Sequence, residues 1–254
     1  MRVVREATAF VIVLSVLLAS STISAQSEQG NNARVFGLGQ PQTIQHLPAG
    51  QLRNRLESLP PQARANGLRW LQDFSFPEAD LDTIKVDDEG NVFYSDTLLP
   101  DPDRVEESDP ADGPTLPSEI PQATLDAAFL LHSRPGSSNV VFIDFDGATI
   151  IGTAWNGGNA PIDAVPYNIE GDAATFSTLE RTRIVDIWNR VAEDLAPYDI
   201  DVTTEEPTTF TSTTGHILVT HTLDANGDLI YCNSCGGVAY VNVFGRSDYH
   251  TFYS

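Results

Sequence analysis

The chain has 254 residues, 41% of them hydrophobic, with 18 glycines and 16 prolines; this is ordinary globular composition with room for one large or two small domains, and it excludes wholesale disorder and collagen-like repeats. Acidic side chains number 35 against 14 basic ones, a formal net charge of −21, so the surface repels phosphate backbones and anionic lipid and nucleic acid is excluded as a natural partner. The two cysteines, Cys232 and Cys235, are too few for a disulfide framework, and the fold must rest on a hydrophobic core.

Residues 1–25 read as a removed secretory signal: Met1 to Arg5 is a short basic stretch, Ala7 to Leu18 is apolar apart from Thr8 and Ser15, and Ile23-Ser24-Ala25 supplies small residues for cleavage. The apolar run falls short of the roughly 20 residues that span a bilayer. The sequence therefore predicts a secreted protein, free of the membrane once the signal is gone, whose thiols meet an oxidising compartment. Residues 26–45 are polar, without an apolar period, and are expected to be a flexible amino-terminal segment.

Residues 46–96 are expected to form a small αα-ββ module. Leu52, Leu56 and Leu59 share one helical face, and after Pro60-Pro61 a second helix carries Ala63, Trp70, Leu71 and Phe74. Leu81–Val86 and Asn91–Ser95 flank the polar turn Asp87-Asp88-Glu89-Gly90 and read as a hairpin. Residues 97–122 interleave six prolines with seven acidic side chains and one base, Arg104. That composition predicts an extended, self-repelling linker open to proteases, either a plain spacer or a cleavage point.

A second domain is expected over residues 123–254. Asn139 to Asp146 is a β-branched apolar run of strand length, and a loop rich in Gly, Asn and Ala follows it. Ser177-Thr178-Leu179-Glu180 is a capping box, and Ile184, Ile187, Trp188, Val191 and Leu195 keep helical spacing until Pro197. Asp199 to Thr204 alternates as a strand, which completes a βαβ unit with parallel pairing. His216–Thr220 and Gly237–Phe244 supply two further strands. The fold class is therefore α/β.

The motifs that could carry chemistry are few. Asp144-Phe145-Asp146-Gly147 after a hydrophobic strand has the form of a phosphatase entry motif of the haloacid-dehalogenase type, with one carboxylate as nucleophile and the other as acid/base beside Mg²⁺. That chemistry also needs a later basic residue, and the sole lysine, Lys85, lies upstream. The alternative is a pair of solvated or structural carboxylates at a strand end. Cys232-Asn233-Ser234-Cys235 lacks the second ligand pair of a zinc knuckle and the following helix of a thioredoxin site, and is expected to be a local disulfide before the last strand. The histidines, at 46, 132, 216, 221 and 250, show no metal-ligand pairing and no H-E-x-x-H occurs. Asp224-Ala225-Asn226-Gly227-Asp228 resembles half a calcium loop, but its Gly comes early and no Glu closes it, so a hairpin turn is expected.

Taken in order, eight segments resemble secreted bacterial zinc metallopeptidases of the metzincin type, reprolysin-like in general plan. They are Leu68–Pro77, Val92–Tyr94, Leu131–Pro135, Val140–Gly147, Gly152–Asn156, Ile187–Asp194, Ala196–Val202 and Gly236–Val241. The resemblance implies an α+β zincin-like catalytic domain with a twisted mixed sheet and a long first helix, preceded by a propeptide-like module at 46–96. It also implies a second helix bearing H-E-x-x-H-x-x-G-x-x-H, whose histidines bind zinc and whose glutamate activates the bound water. Ser254 falls just after the strand that precedes that helix, so the resemblance implies an amino-terminal fragment that carries no catalytic residue and no metal ligand of its own.

Zinc is the cofactor implied for the full-length protein, with calcium as an open second ion. A protein or peptide is the implied substrate, laid along the edge strand Gly237, Val238, Ala239, Tyr240 and Val241 by main-chain pairing. Latency through a cysteine switch is excluded, because both cysteines lie beyond the linker. The rivals to a peptidase precursor are the Mg²⁺-dependent phosphatase built on Asp144 and Asp146, and a non-catalytic secreted binding or inhibitory module. Nothing in the pattern specifies an oligomeric state.

Overall fold

A computed structural model describes residues 34–97, 120–171 and 174–249. The expected signal segment and nearly all of the expected linker lie outside the described residues. The described chain divides into two compact units: a smaller one of residues 34–97 together with Gly237–Asn242, and a larger one of the remaining residues.

In the smaller unit, β1 (Val35–Phe36) precedes helices α1 (Gln51–Ser58) and α2 (Pro61–Trp70), and β2 (Phe76–Pro77) returns antiparallel to β1. Helix α1 buries Leu52 and Leu56, and α2 starts with Pro61 in its first turn, where a missing N–H costs nothing. The Arg64 guanidinium donates to the carbonyl oxygens of Leu56, Glu57 and Leu59 at 3.0, 2.7 and 3.0 Å, satisfying groups left open where α1 ends. Strands β3 (Ile84–Val86) and β4 (Val92–Thr97) pair antiparallel with Lys85 opposite Phe93.

The turn between β3 and β4 is closed by Asp87, whose carboxylate accepts from the amides of Glu89 and Asn91. Gly90 stands there at φ 86°, and a Cβ on it would fall onto the Ala63 carbonyl. The core of this unit gathers Leu56, Leu71, Phe74, Phe76, Ile84 and Val92, with Phe36 stacked on Phe76 at 5.5 Å.

The larger unit opens with α3 (Gln122–Asp126) and then β5 (Val140–Asp144). Two short strands, β6 (Thr149–Ile150) and β7 (Ile162–Asp163), pair antiparallel inside the glycine-rich loop, where Ile150, Ala164 and Leu218 are buried with Trp155 and Ile162 against them. Helix α4 (Thr178–Leu195) follows, then β8 (Asp201–Thr203) and β9 (Thr214–Leu218). Strand β5 is central and pairs in parallel with β8 on one side and β9 on the other, Val141 standing level with both Val202 and Gly215. Both neighbours being parallel accounts for its unbroken apolar run, with Val141, Phe142 and Ile143 all buried.

Helix α4 carries the capping box in full. The Ser177 hydroxyl accepts from the Glu180 amide at 3.2 Å, and Glu180 accepts from the Ser177 amide at 2.9 Å with one carboxylate oxygen and from the Ile169 amide at 3.0 Å with the other. The two bonds to its carboxylate let Glu180, with only 1% of the residue exposed, sit at the helix start, where the helix dipole favours it. The Trp188 indole donates to the Val202 carbonyl at 2.9 Å and ties α4 to β8. Strand, helix and parallel strand thus form the βαβ unit, and the chain is a mixed α/β protein with several sheets and, among the described residues, four α-helices.

The last strand, β10 (Cys235–Tyr240), differs in extent from the sequence reading, which ran it to Phe244. Asn242 takes φ 57°, a left-handed conformation that ends the extended run. From Gly237 onward this strand belongs to the smaller unit, in a three-stranded sheet of order β10-β4-β3.

Candidate functional site

The carboxyl end of a central parallel strand is where open α/β sheets collect functional groups, and β5 ends there in Asp144. The strand stops at this residue because its carboxylate folds the following chain back: one oxygen accepts from the amides of Asp146 and Gly147 at 3.0 and 3.2 Å. The other faces His216 Nε2 of β9 at 2.9 Å. Both side chains are buried, and the His216 ring stacks on Phe142 at 5.3 Å with an interplanar angle of 15°. The turn places Asp144 inside and Asp146 at the surface.

Asp146 is pushed up from 3.8 to about 6, first by partial desolvation, then by its hydrogen bond to Asp144 and the Asp144 charge, with Glu206 adding to it. The chemistry open to this cluster is proton exchange at Asp146. Asp144 has both oxygens engaged and is placed as an anchor for the β5 turn.

A second cluster lies along β8. His132 Nδ1 meets Asp201 at 2.7 Å and Nε2 meets Glu205 at 2.9 Å, while the other Asp201 oxygen accepts from the Arg134 amide at 2.8 Å. Burial works against a charged imidazole here, but the hydrogen bonds to Glu205 and Asp201 and their charges outweigh it and raise the His132 pKa. Both ring nitrogens are taken, so the cluster fastens the 131–134 segment to the flank of β8. Sequence reading missed it because Asp201 and Glu205 lie about 70 positions from His132, and no local spacing reports such a meeting.

The expected edge strand is found in a ladder with β4, not in the parallel sheet around β5. The Val241 amide donates to the Val92 carbonyl at 3.0 Å, and the Val241 carbonyl accepts from the Trp70 indole at 2.9 Å. Tyr240 donates its hydroxyl to Asp87 at 3.0 Å and meets Phe93 edge-on at 5.5 Å. Val238, Tyr240 and Val241 are buried, and Gly237 and Ala239 are half-buried. Cys232 and Cys235, with Cα atoms 5.6 Å apart, are joined in a disulfide immediately before this segment. The aromatic and acidic partners, Trp70, Phe93 and Asp87, carried no sequence signal for this contact beyond their place in predicted elements.

Among the described residues no group of three or more His, Cys, Asp or Glu side chains could hold a metal ion, and His132 and His216 already face carboxylates. The 224–228 loop is a hydrogen-bonded turn in which one Asp224 carboxylate oxygen accepts from the amides of Asp228 and Asn226, and this holds its pKa below the ordinary carboxylate range. Among the described residues, no helix is long and apolar enough to cross a membrane. Comparison with protein-family models, curated proteins and solved structures finds no match for this chain.

Proposed function

We propose that this chain is the amino-terminal part of a secreted zinc metalloendopeptidase precursor, with a propeptide-like module at 46–96, a linker at 97–122 and the first part of a zincin-like catalytic domain from 123. The observation that carries the reading is the Gly237–Val241 segment, whose main-chain amide at Val241 is engaged by a neighbouring strand as the main chain of a bound peptide would engage it. The βαβ unit with its long capped helix α4 and the ordered run of metzincin-like segments support it. No catalytic step is assigned to residues of this chain, since the zinc ligands and the glutamate base belong to a helix whose motif does not occur in this sequence.

The test is to read the source gene beyond the Ser254 codon and to assay the gene-length protein for casein hydrolysis and bound zinc. An open frame reaching H-E-x-x-H-x-x-G-x-x-H, with zinc-dependent proteolysis, is the expected result; an immediate stop sinks the reading. The chain ending at Ser254 is expected to show neither casein hydrolysis nor stoichiometric zinc. The phosphatase reading draws on the raised pKa of Asp146, but its nucleophile would be Asp144, whose carboxylate faces two amides and His216. Hydrolysis of p-nitrophenyl phosphate that disappears in Asp144→Asn would favour it.

A further inference from the structure

Residues 222–230 of the larger unit form a short hairpin apart from the Asp144 and His132 clusters. The Asp224 amide donates to the Asp228 carbonyl at 2.8 Å and the Ile230 amide to the Thr222 carbonyl at 3.0 Å, and these bonds frame a bridge between Leu223 and Leu229. A bridge framed in this way is a non-hydrogen-bonded antiparallel pair, the arrangement that brings opposite side chains closest on one face. Ile230, on the other face, packs against the buried Ile150, Ala164 and Leu218. Leu223, Leu229 and Tyr231 are 46%, 44% and 36% exposed, and Tyr231 meets the half-buried Trp155 edge-on at 6.4 Å. Apolar side chains scattered singly over a surface are ordinary, whereas these four are gathered on one lobe.

The lobe is held at three points. One Asp224 carboxylate oxygen accepts from the amides of Asn226 and Asp228, the Ala225 amide donates to the Asp163 carbonyl of β7 at 2.8 Å, and the Cys232–Cys235 disulfide follows directly after Tyr231. A face fixed in this way loses little conformational freedom when something covers it. Its charge is of one sign. No lysine or arginine stands between Arg134 and Arg181 or between Arg190 and Arg246, so the two stretches that build the lobe carry Asp163, Asp224 and Asp228 without a lysine or arginine of their own. Among the described residues, none of these three carboxylates is in an ion pair.

We propose that this hairpin face docks a basic, apolar segment of another protein, whose leucine-like or aromatic side chains cover Leu223, Leu229, Tyr231 and Trp155 while its lysines or arginines lie against Asp163, Asp224 and Asp228. Tryptophan and tyrosine are the side chains that most often dominate interface energies, and their ring faces also attract cations. The charges select the occupant. A second copy of this chain would set like charge against like at a net −21, and an anionic lipid surface is repelled for the same reason. So small an apolar group supports a transient, salt-sensitive contact rather than a permanent one. The inference goes beyond the peptidase reading and is independent of it, since it uses only the residues of this lobe.

The experiment titrates the full chain with a fluorescent peptide in which lysine alternates with leucine and one tryptophan, read by anisotropy at about 0.15 M salt. One comparison peptide carries glutamate for lysine, and another carries serine for leucine and tryptophan. Saturable binding of the first peptide alone is the expected result. The double substitution Leu223→Ser/Leu229→Ser is expected to weaken it roughly tenfold, and Asp228→Asn roughly threefold. Asp101→Asn with Asp103→Asn, in the expected linker, is expected to leave it unchanged. A benzophenone-bearing form of the peptide is expected to crosslink within 222–231, which locates the contact on the parent chain even where the double variant does not fold.

Failure of the first peptide to bind would overturn the proposal. Equal binding of the lysine–serine peptide, or crosslinks confined to the linker, would reduce the effect to net charge and overturn it too. Equal binding of the glutamate peptide would remove the cationic partner. Dimerisation in sedimentation that Leu229→Ser abolishes would assign the face to a second copy, against the proposal.

Discussion

Replacing Asp144 separates an anchoring carboxylate from a nucleophile. The Asp144 side chain accepts from two backbone amides and faces the His216 ring, with only 4% of the residue exposed. Asp144→Ala removes all three acceptor contacts at once, and water cannot replace them at that depth. Each buried donor left without a partner costs about 1–3 kcal/mol, and since the three share one site the sum is expected near ~4 kcal/mol. That is a large part of the ~5–15 kcal/mol that holds a typical domain folded.

Asp144→Asn keeps an oxygen for the two amides and turns its amide group toward His216, so a smaller loss of ~1–2 kcal/mol is expected. The assay is urea unfolding followed by tryptophan fluorescence, since Trp155 and Trp188 both lie in the larger unit. A double-mutant cycle with His216→Phe should give a coupling of ~1–3 kcal/mol between two residues in direct contact. A loss under about 1 kcal/mol for Asp144→Ala would refute the anchoring argument, as would Asp144→Asn that is fully stable and loses a measurable phosphatase activity.

Three further substitutions probe charge and backbone. Because the Asp146 pKa is raised from 3.8 to about 6 in the fold, its charged form weakens the folded state, so the stability it contributes falls as pH rises from about 4 to about 6. Asp146→Asn should stabilise the protein at pH 7.5 by ~1 kcal/mol, well below the full two-unit value because the side chain is exposed, and should be neutral at pH 4, read as melting temperatures at the two pH values. His132 has a raised pKa, so its contribution is complete below the unfolded value of roughly 6.5 and is lost as pH rises through the folded one; His132→Gln should cost ~1 kcal/mol at pH 5.5 and markedly less at pH 9. Gly90→Ala should destabilise the smaller unit by ~3 kcal/mol or more, from the left-handed backbone and the blocked approach to Ala63, and circular dichroism melts that match the parent would contradict it.

The elements legible in the sequence were those whose signal is local. The capping box at Ser177 and Glu180 announced the start of α4, the polar Asp87–Gly90 stretch announced the β3–β4 hairpin, and the unbroken apolar run through Val141 and Ile143 announced a strand. The short pieces were not legible. Helix α3 spans five residues and strands β6 and β7 two each, too short for a period of 3.6 or 2 to register. The candidate site divided along the same line. Asp144 and Asp146 were visible as a motif, but the partnership of Asp144 with His216 depends on β9 docking in parallel beside β5 across 72 positions, a choice made by the tertiary fold.

The stretch from Gly237 to Val241 shows why the pattern of a strand does not name its neighbour. Its apolar residues, Val238, Tyr240 and Val241, would be buried in whichever sheet received them, so the pattern says that the strand is buried and is silent about where. What selects the sheet is the demand that every buried backbone group find a partner. The apolar faces of many strands could cover Val238, but Val241 requires an acceptor for its amide and a donor for its carbonyl at the same point. Val92 and the Trp70 indole supply that pair, at 3.0 and 2.9 Å. A peptide competing for this edge could reproduce the first of these bonds with its own main chain and not the second. The indole is therefore the element that separates holding a strand in place from merely offering it an edge, and the loosened grip of Trp70→Phe should show in exchange at Val241 before it shows anywhere else in the segment.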